Sequence, residues 1–164
     1  MNTVDEAVAA NRTFAAGFDQ GDAPRVPRKG LVVLTCFDAR VHAEAFLGLE
    51  MGDAHVLRNA GGRATEDALR SLIISANILG TRTCMVVHHT GCGMLTITNE
   101  DVRSMLQSLT GTSADHIDFL PIDDLEESAR EDARTIRANA FLPPDFSVTS
   151  WIYDVRTGRI RSVD

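Results

Sequence analysis

The stretch Leu31-Val32-Val33-Leu34-Thr35-Cys36-Phe37-Asp38-Ala39-Arg40 decides the fold of this chain. Its first half is apolar, is rich in β-branched residues and follows Lys29-Gly30, a pattern typical of a buried strand. In an open α/β sheet, the residues just past the carboxyl end of a strand line the ligand crevice. The stretch therefore predicts that a thiol, a carboxylate and a guanidinium lie together where such folds bind ligands.

A second apolar run, Met85-Val86-Val87, ends in the segment His88-His89-Thr90-Gly91-Cys92-Gly93. Zinc prefers thiolate and imidazole ligands, and catalytic zinc sites combine three protein ligands with an open position. Cys36, His89 and Cys92 would supply this set, because the first and third strands of a doubly wound sheet can be neighbours at the switch point. Such soft donors would bind magnesium or calcium poorly.

The same residues also allow a plainer interpretation. A cysteine after a strand is often a small buried hydrophobe, and an isolated His-x-x-Cys pair often has only a packing role. His88 competes with His89 as a ligand, although neighbours on a strand face opposite sides, which favours His89. Cys84 lies inside the strand without a polar ligand beside it and is assigned to the core. On the residues alone, metal binding and packing both stay open.

The rest of the chain predicts alternating strands and helices. Apolar runs predict strands at 30–35, 55–58, 83–88, 148–155 and 159–163. Periodicity predicts helices at 4–14, 41–47, 66–79, 98–109 and 123–140, with Thr65 and Thr98 as N-caps. This order predicts an α/β fold with four parallel strands and one antiparallel edge strand, flanked by helices. We expect one domain spanning residues 1–164.

Composition limits the classes of function. A net charge of −7 without a run of basic residues argues against a nucleic-acid partner. No apolar run approaches the length of a membrane span, and the first residues lack the basic and apolar segments of a signal peptide. Three cysteines suit a reducing compartment, so we expect a cytoplasmic enzyme of bacterial type.

Taken together, these motifs resemble the β-class carbonic anhydrases. Cys-x-Asp-x-Arg at a strand end, followed later by His-x-x-Cys-Gly, is similar to the pattern of that family. The segments Gly52-Asp53 and Arg58-Asn59-Ala60-Gly61 also match, so the resemblance runs over about residues 30–95. The short chain looks most like the small bacterial branch, which also includes enzymes that hydrolyse carbonyl sulfide.

The resemblance implies a β-carbonic anhydrase-like fold and reversible hydration of carbon dioxide to bicarbonate by zinc-bound hydroxide. It implies one Zn²⁺ per subunit, held by Cys36, His89 and Cys92, with Asp38 and Arg40 as the catalytic dyad. Asp38 would become a fourth ligand in a closed state. The alternative on the same scaffold is hydrolysis of carbonyl sulfide or carbon disulfide. A non-catalytic zinc-stabilised module fits less well, because structural zinc has four closed protein ligands.

The resemblance also implies a homodimer or a higher homo-oligomer. Longer members of the family carry a glutamine before the cysteine motif that helps to bind substrate, and residues 31–35 contain none. Backbone N–H groups near Gly61 or Gly93 are the expected substitutes. His42 and His88 are the candidates for a proton shuttle.

Overall fold

A computed structural model of the protein describes residues 2–164. Its centre is one sheet, whose strands are β1 (Leu31–Cys36), β2 (Ala54–Asn59), β3 (Thr83–His89), β4 (Ser147–Tyr153) and β5 (Ile160–Ser162). The spatial order is β2-β1-β3-β4-β5. The first three neighbouring pairs are parallel, and β4 with β5 is antiparallel. The predicted sheet of four parallel strands with an antiparallel edge strand is confirmed.

Within this range, five helices accompany the sheet: α1 (Thr3–Ala16), α2 (Ala43–Phe46), α3 (Glu66–Asn77), α4 (Asn99–Thr110) and α5 (Leu125–Arg137). Thr65 caps α3, and Thr98 caps α4 in a reciprocal capping box, as predicted. Three predicted helices are too long, and one of them, α3, ends at Asn77 and not at residue 79. The sequence predicts a longer α2, but His42 starts it without a side-chain cap. The last helix begins after Asp124, whose carboxylate caps it.

The core explains why β1 is apolar throughout. On one face of the sheet, Val32 and Leu34 pack with residues of α3 and α5, among them Leu72 and Ile136. On the other face, Val33 packs with α2 and with aromatic side chains of β4. A strand that is buried on both faces loses the polar alternation of a half-exposed strand. The carboxyl end of β1 therefore lies in the middle of the sheet, with β2 on one side and β3 on the other.

The N-terminal helix is different, because α1 contains no buried residue. Its apolar side chains Val4, Val8 and Phe14 are exposed to solvent. Within residues 2–164, no helix combines the length and the apolar character needed to cross a bilayer.

Candidate metal centre

Two parallel strands bring the predicted ligands together. β1 and β3 are hydrogen-bonded neighbours, with Thr35 paired to Val87, so Cys36 and His89 both lie at their carboxyl ends. Cys92 follows on the loop after β3, and its Sγ lies 4.0 Å from Cys36 Sγ. The ligand atoms of Cys36, His89 and Cys92 all lie within 4.8 Å of one another. These three residues form a buried group that can hold a metal ion.

The two thiols form a coupled pair. Cys92 donates a hydrogen bond that lowers the pKa of Cys36 to about 4 against the opposing effect of burial, and His89 adds a smaller effect. The backbone N–H groups of Asp38 and Gly61 lower the pKa of Cys36 further. The hydrogen bond with Cys36 and burial raise the pKa of Cys92, while the Met94 N–H lowers it. The pair thus holds one negative charge and one proton that a cation would displace.

His89 presents a free nitrogen to these sulfurs. Its Nδ1 lies 3.0 Å from the carbonyl oxygen of Thr90, which makes Nδ1 the protonated nitrogen by hydrogen-bond assignment. Nε2 is buried and has no hydrogen-bond partner among the described residues. Buried ring nitrogens normally have partners, and a ligating histidine commonly donates its other N–H to a carbonyl. An imidazole nitrogen and two sulfurs together fit zinc.

Asp38 and Arg40 form a bidentate ion pair beside this group. Arg40 Nε and Nη2 donate to the two carboxylate oxygens of Asp38 at 2.9 and 2.7 Å. Nη2 also donates to the carbonyl oxygen of Gly91 at 2.9 Å. The hydrogen bonds from Arg40 hold the pKa of Asp38 well below its usual range. Asp38 Oδ2 lies 3.9 Å from His89 Nε2. The carboxylate therefore stays ionised next to the ligand atoms, and its role as a fourth ligand stays a prediction.

Arg58 is a site residue whose contacts the sequence did not reveal. Its Nε donates to the carbonyl oxygen of Cys36 at 3.1 Å, and its Nη2 donates to that of Asp38 at 2.8 Å. Arg58 stands opposite Thr35 in the β1–β2 register, one residue before β2 ends. This register places its side chain across the Cys36–Asp38 backbone. The only sequence signal was its position in a segment that matched a family pattern.

A three-residue turn, Ala60–Gly62, closes one side of the group. We call it the glycine turn. Gly61 and Gly62 have φ values of +79° and +71°. The sequence suggests the Gly61 N–H as a donor to the substrate, and this stays a prediction. The same suggestion for Gly93 stays a prediction.

Gly62 itself has no room for a side chain. A β-carbon there would lie 2.9 Å from the carbonyl carbon of Thr35 and 3.0 Å from the nitrogen of Cys36. Gly158 has a similar φ of +70°, but a β-carbon added to it would meet no atom within 4 Å. Replacing Gly158 with alanine should cost about 1–2 kcal/mol of folding free energy through the left-handed backbone alone.

Gly62→Ala should cost about 1–3 kcal/mol more than that control, because the backbone of β1 must shift to relieve the contact. Urea denaturation of both variants and the unchanged protein measures the difference. Equal losses for the two variants would show that the approach to Cys36 is not tight.

An apolar wall flanks the sulfurs. Ile122, Met94 and Leu95 pack around Cys36 and Cys92. A wall of this kind favours a small apolar molecule over an ion beside the ligand atoms.

The other histidines lie outside the group. His88 is fully buried on the opposite face of β3, with its Nε2 3.2 Å from Asp132 Oδ2. The alternation that favoured His89 as a ligand therefore agrees with the geometry. The burial of His88 contradicts its suggested role as a proton shuttle to solvent. His42 is exposed, 3.8 Å from Glu44, and its shuttle role stays a prediction.

Comparisons with known proteins agree on one family. A family model described as carbonic anhydrase matches residues 31–140. The chain is 38% identical to β-carbonic anhydrase 1 of Mycobacterium tuberculosis, over 99% of both chains. It is 36% identical to the carbon disulfide hydrolase of Acidianus sp., over 80% of this chain and 76% of that protein. A crystal structure of a carbonic anhydrase from Streptococcus mutans aligns with a TM-score of 0.96 at 41% identity, covering 100% of this chain and 99% of that one.

Proposed function

Since this chain belongs to the β-carbonic anhydrase family, we propose that it is a zinc enzyme that reversibly hydrates carbon dioxide to bicarbonate. The observation that carries the proposal is the ionised Asp38 carboxylate, fixed by Arg40, with its Oδ2 3.9 Å from the buried Nε2 of His89. An acceptor beside a three-ligand group is the arrangement needed to orient a water molecule for attack.

Each residue of the site has a defined task in this reaction. Cys36, His89 and Cys92 would hold zinc, which supplies a Lewis acid that lowers the pKa of water. Asp38 accepts the hydrogen bond of the attacking water and directs its lone pair toward the carbon of the substrate. Arg40 keeps Asp38 ionised and fixes the orientation of its carboxylate group through two hydrogen bonds.

The charge of the ligand set creates a problem that the backbone eases. Two thiolates and a neutral imidazole would cancel the charge of a divalent ion. The ion would then lower the pKa of a bound water molecule less than it would with neutral ligands. Hydrogen bonds to the sulfurs withdraw electron density from them. The backbone N–H groups of Asp38 and Gly61 lower the pKa of Cys36, and that of Met94 lowers the pKa of Cys92, so they act on both sulfurs in this direction. The sulfurs are in this way made weaker donors than free thiolates.

Hydrolysis of carbon disulfide or carbonyl sulfide is the second candidate. It is favoured by the apolar wall of Met94, Leu95 and Ile122, which suits any small linear apolar substrate. The carbon disulfide hydrolase of Acidianus sp. aligns over 80% of this chain, whereas the mycobacterial carbonic anhydrase aligns over 99%. We therefore place carbon dioxide first.

One assay separates the two candidates. Zinc-loaded protein is given carbon dioxide in a stopped-flow hydration assay, and carbonyl sulfide and carbon disulfide in parallel assays of sulfide release. The proposal expects kcat/KM for hydration to exceed the values for both sulfur substrates. A reversed order supports the hydrolase, and the absence of turnover on all three substrates contradicts both candidates in favour of a non-catalytic module.

We also propose that the protein is a homodimer built through α1. The support is the exposed apolar face of α1, a helix none of whose own residues is buried. A second copy of this chain is the simplest partner for this face, because a twofold dimer brings the same surface of both copies together. A cytoplasmic location is proposed because reducing conditions keep Cys36 and Cys92 as thiols.

The dimer predicts a position-dependent effect of charge on α1. Val8→Asp should shift sedimentation from dimer to monomer, since it buries a carboxylate in an apolar contact. Ala9→Asp is the matched control, because the helical period turns Ala9 away from Val4 and Val8. A monomeric unchanged protein, or equal behaviour of the two variants, would contradict the proposal.

A further inference from the structure

We propose that Thr90 is a positioning residue for the proposed ligand His89, because its hydroxyl ties the end of β3 to the segment that joins β4 to β5. We call this segment, residues 154–159, the β4–β5 loop. The inference rests on the proposed zinc site and extends it. Thr90 contacts His89 at Nδ1, whereas Nε2 is the free nitrogen near the sulfurs, so its action on a metal ion would pass through the imidazole.

The carbonyl group of Thr90 determines how the imidazole of His89 is oriented. Its oxygen lies 3.0 Å from Nδ1, and His89 is only 1% exposed. A hydrogen bond at one nitrogen of a ligating histidine fixes both the tautomer and the direction in which the other nitrogen points. A shift of the Thr90 carbonyl would therefore turn Nε2 relative to Cys36 and Cys92.

Two hydrogen bonds from the β4 side hold Thr90 itself. His89 with Tyr153 is the last pair in the register of β3 and β4, and the register of β3 with β1 already ends at Val87. Beyond these pairs, the Thr90 N–H donates to the Tyr153 carbonyl oxygen at 2.9 Å, and Thr90 Oγ1 accepts from the Val155 N–H at 3.1 Å. The hydroxyl thus extends the contact of β3 with β4 by one step and helps to fix the carbonyl that faces His89.

The β4–β5 loop gives this hydroxyl a firm anchor. One carboxylate oxygen of Asp154, Oδ1, accepts from the N–H groups of Arg156 and Thr157 at 2.8 and 3.3 Å. The Asp154 N–H donates to the carbonyl oxygen of Arg159 at 2.8 Å, which closes the loop across its base. Val155 lies inside this closed loop. Its N–H therefore has a defined position to which Thr90 binds.

Thr90 also has a second connection to the site, through the residue that follows it. The Gly91 carbonyl oxygen accepts from Arg40 Nη2 at 2.9 Å, and Arg40 holds Asp38. A displaced Thr90 would reach Asp38 by this route even if His89 did not move. A test that measures the Nδ1 proton of His89 itself, and repeats the measurement without the Arg40 side chain, separates the two routes.

Thr90→Val should weaken the hydrogen bond at His89 Nδ1, since valine keeps the branched shape of threonine but cannot accept from the Val155 N–H. In zinc-loaded protein with 15N-labelled histidine, NMR should show exchange of the Nδ1 proton with water about 2- to 10-fold faster, the ratio that corresponds to one ordinary hydrogen bond. Zinc affinity, measured by competition with a chelator, should fall about 10-fold, the lower end of the range for supporting residues. The Nδ1 resonance is identified by its absence in His89→Gln.

Three further variants make this result specific. Thr90→Ser retains the hydroxyl and should match the unchanged protein in both measurements. Thr110→Val is the matched control, because Thr110 Oγ1 also accepts a backbone N–H, that of Thr112 at 3.2 Å, but at the end of α4. It should change neither the exchange nor the zinc affinity. In an Arg40→Ala background, Thr90→Val should accelerate the exchange by the same factor, because effects that do not share a route are additive.

Several outcomes would overturn the inference. They are an exchange rate in Thr90→Val equal to that of Thr110→Val, a faster exchange that Thr90→Ser shares, and a faster exchange with unchanged zinc affinity. An acceleration that disappears in the Arg40→Ala background would assign the effect to the Gly91 route and would also overturn it.

The test stays decisive if the first variant is unstable, and it is independent of turnover. If Thr90→Val does not fold, Thr90→Ala provides the same comparison with Thr90→Ser, because it removes the hydroxyl without placing a methyl group against the Val155 N–H. Failure of all three turnover assays would overturn the proposed activity and leave the exchange result unaffected.

Discussion

A Cys36→Ser variant is expected to lose bound zinc and, with it, nearly all hydration activity. Removal of a residue that only supports a ligand costs up to about 100-fold in metal affinity, so removal of a ligand itself should cost more. Serine is a harder donor, and without a metal its hydroxyl stays protonated. It therefore cannot replace the thiolate whose pKa Cys92 lowers to about 4. Metal analysis of the purified variant measures the loss.

Cys84→Ser is the matched control for this experiment. Cys84 is also fully buried, and burial alone raises the pKa of its thiol to about 12. This control should keep its zinc but lose about 1–3 kcal/mol of stability, the cost of burying a hydroxyl. Stoichiometric zinc in Cys36→Ser, at the level of Cys84→Ser, would refute the ligand assignment.

Asp38→Asn should show the opposite combination, with zinc retained and turnover lost. The amide keeps the size of the carboxylate but cannot accept from Arg40 and from water as a charged group does. Positioned acceptors of this kind contribute about 10²–10⁴-fold to a rate, and a fall in kcat of that size is expected. Stopped-flow hydration and metal analysis of the same sample measure both properties.

Asp145→Asn controls for the loss of a paired carboxylate elsewhere. Asp145 Oδ2 lies 3.3 Å from Nε of Arg82. Arg82 directly precedes β3, so this ion pair lies at the opposite end of the strand from the metal group. The Asp145→Asn variant should keep full activity. If Asp38→Asn hydrates carbon dioxide as fast as Asp145→Asn, Asp38 is only part of a structural ion pair, and the proposed mechanism is wrong.

Much of the fold was predictable because local signals agreed with the tertiary structure. The apolar run of β1 is continuous because both faces of the strand are covered, and Thr65 and Thr98 cap the helices that their side chains suggested. Helix ends were less predictable. Several neighbouring residues can serve as the N-cap of a helix. Here Asp124 is the cap, so α5 begins at Leu125 and not at residue 123 as predicted.

The site was predictable only where its residues follow strands. Cys36 and His89 end neighbouring strands, so their meeting could be inferred from topology. Asp132, which lies beside His88, gave no such signal, because it belongs to a highly charged helix and its burial depends on where α5 packs. The shuttle suggested for His88 failed for a related reason. Alternation along β3 turns that imidazole to the other face, and its burial there depends on the same packing of α5.

The separation of Cys36 from Cys92 along the chain has a consequence for biosynthesis. β1 reaches β3 only after β2 and α3 have been made, so the emerging polypeptide has no complete pocket for an ion until residue 92 has left the ribosome. Binding of an ion would therefore depend on one long-range strand pairing, and it would stabilise the completed fold and not its fragments.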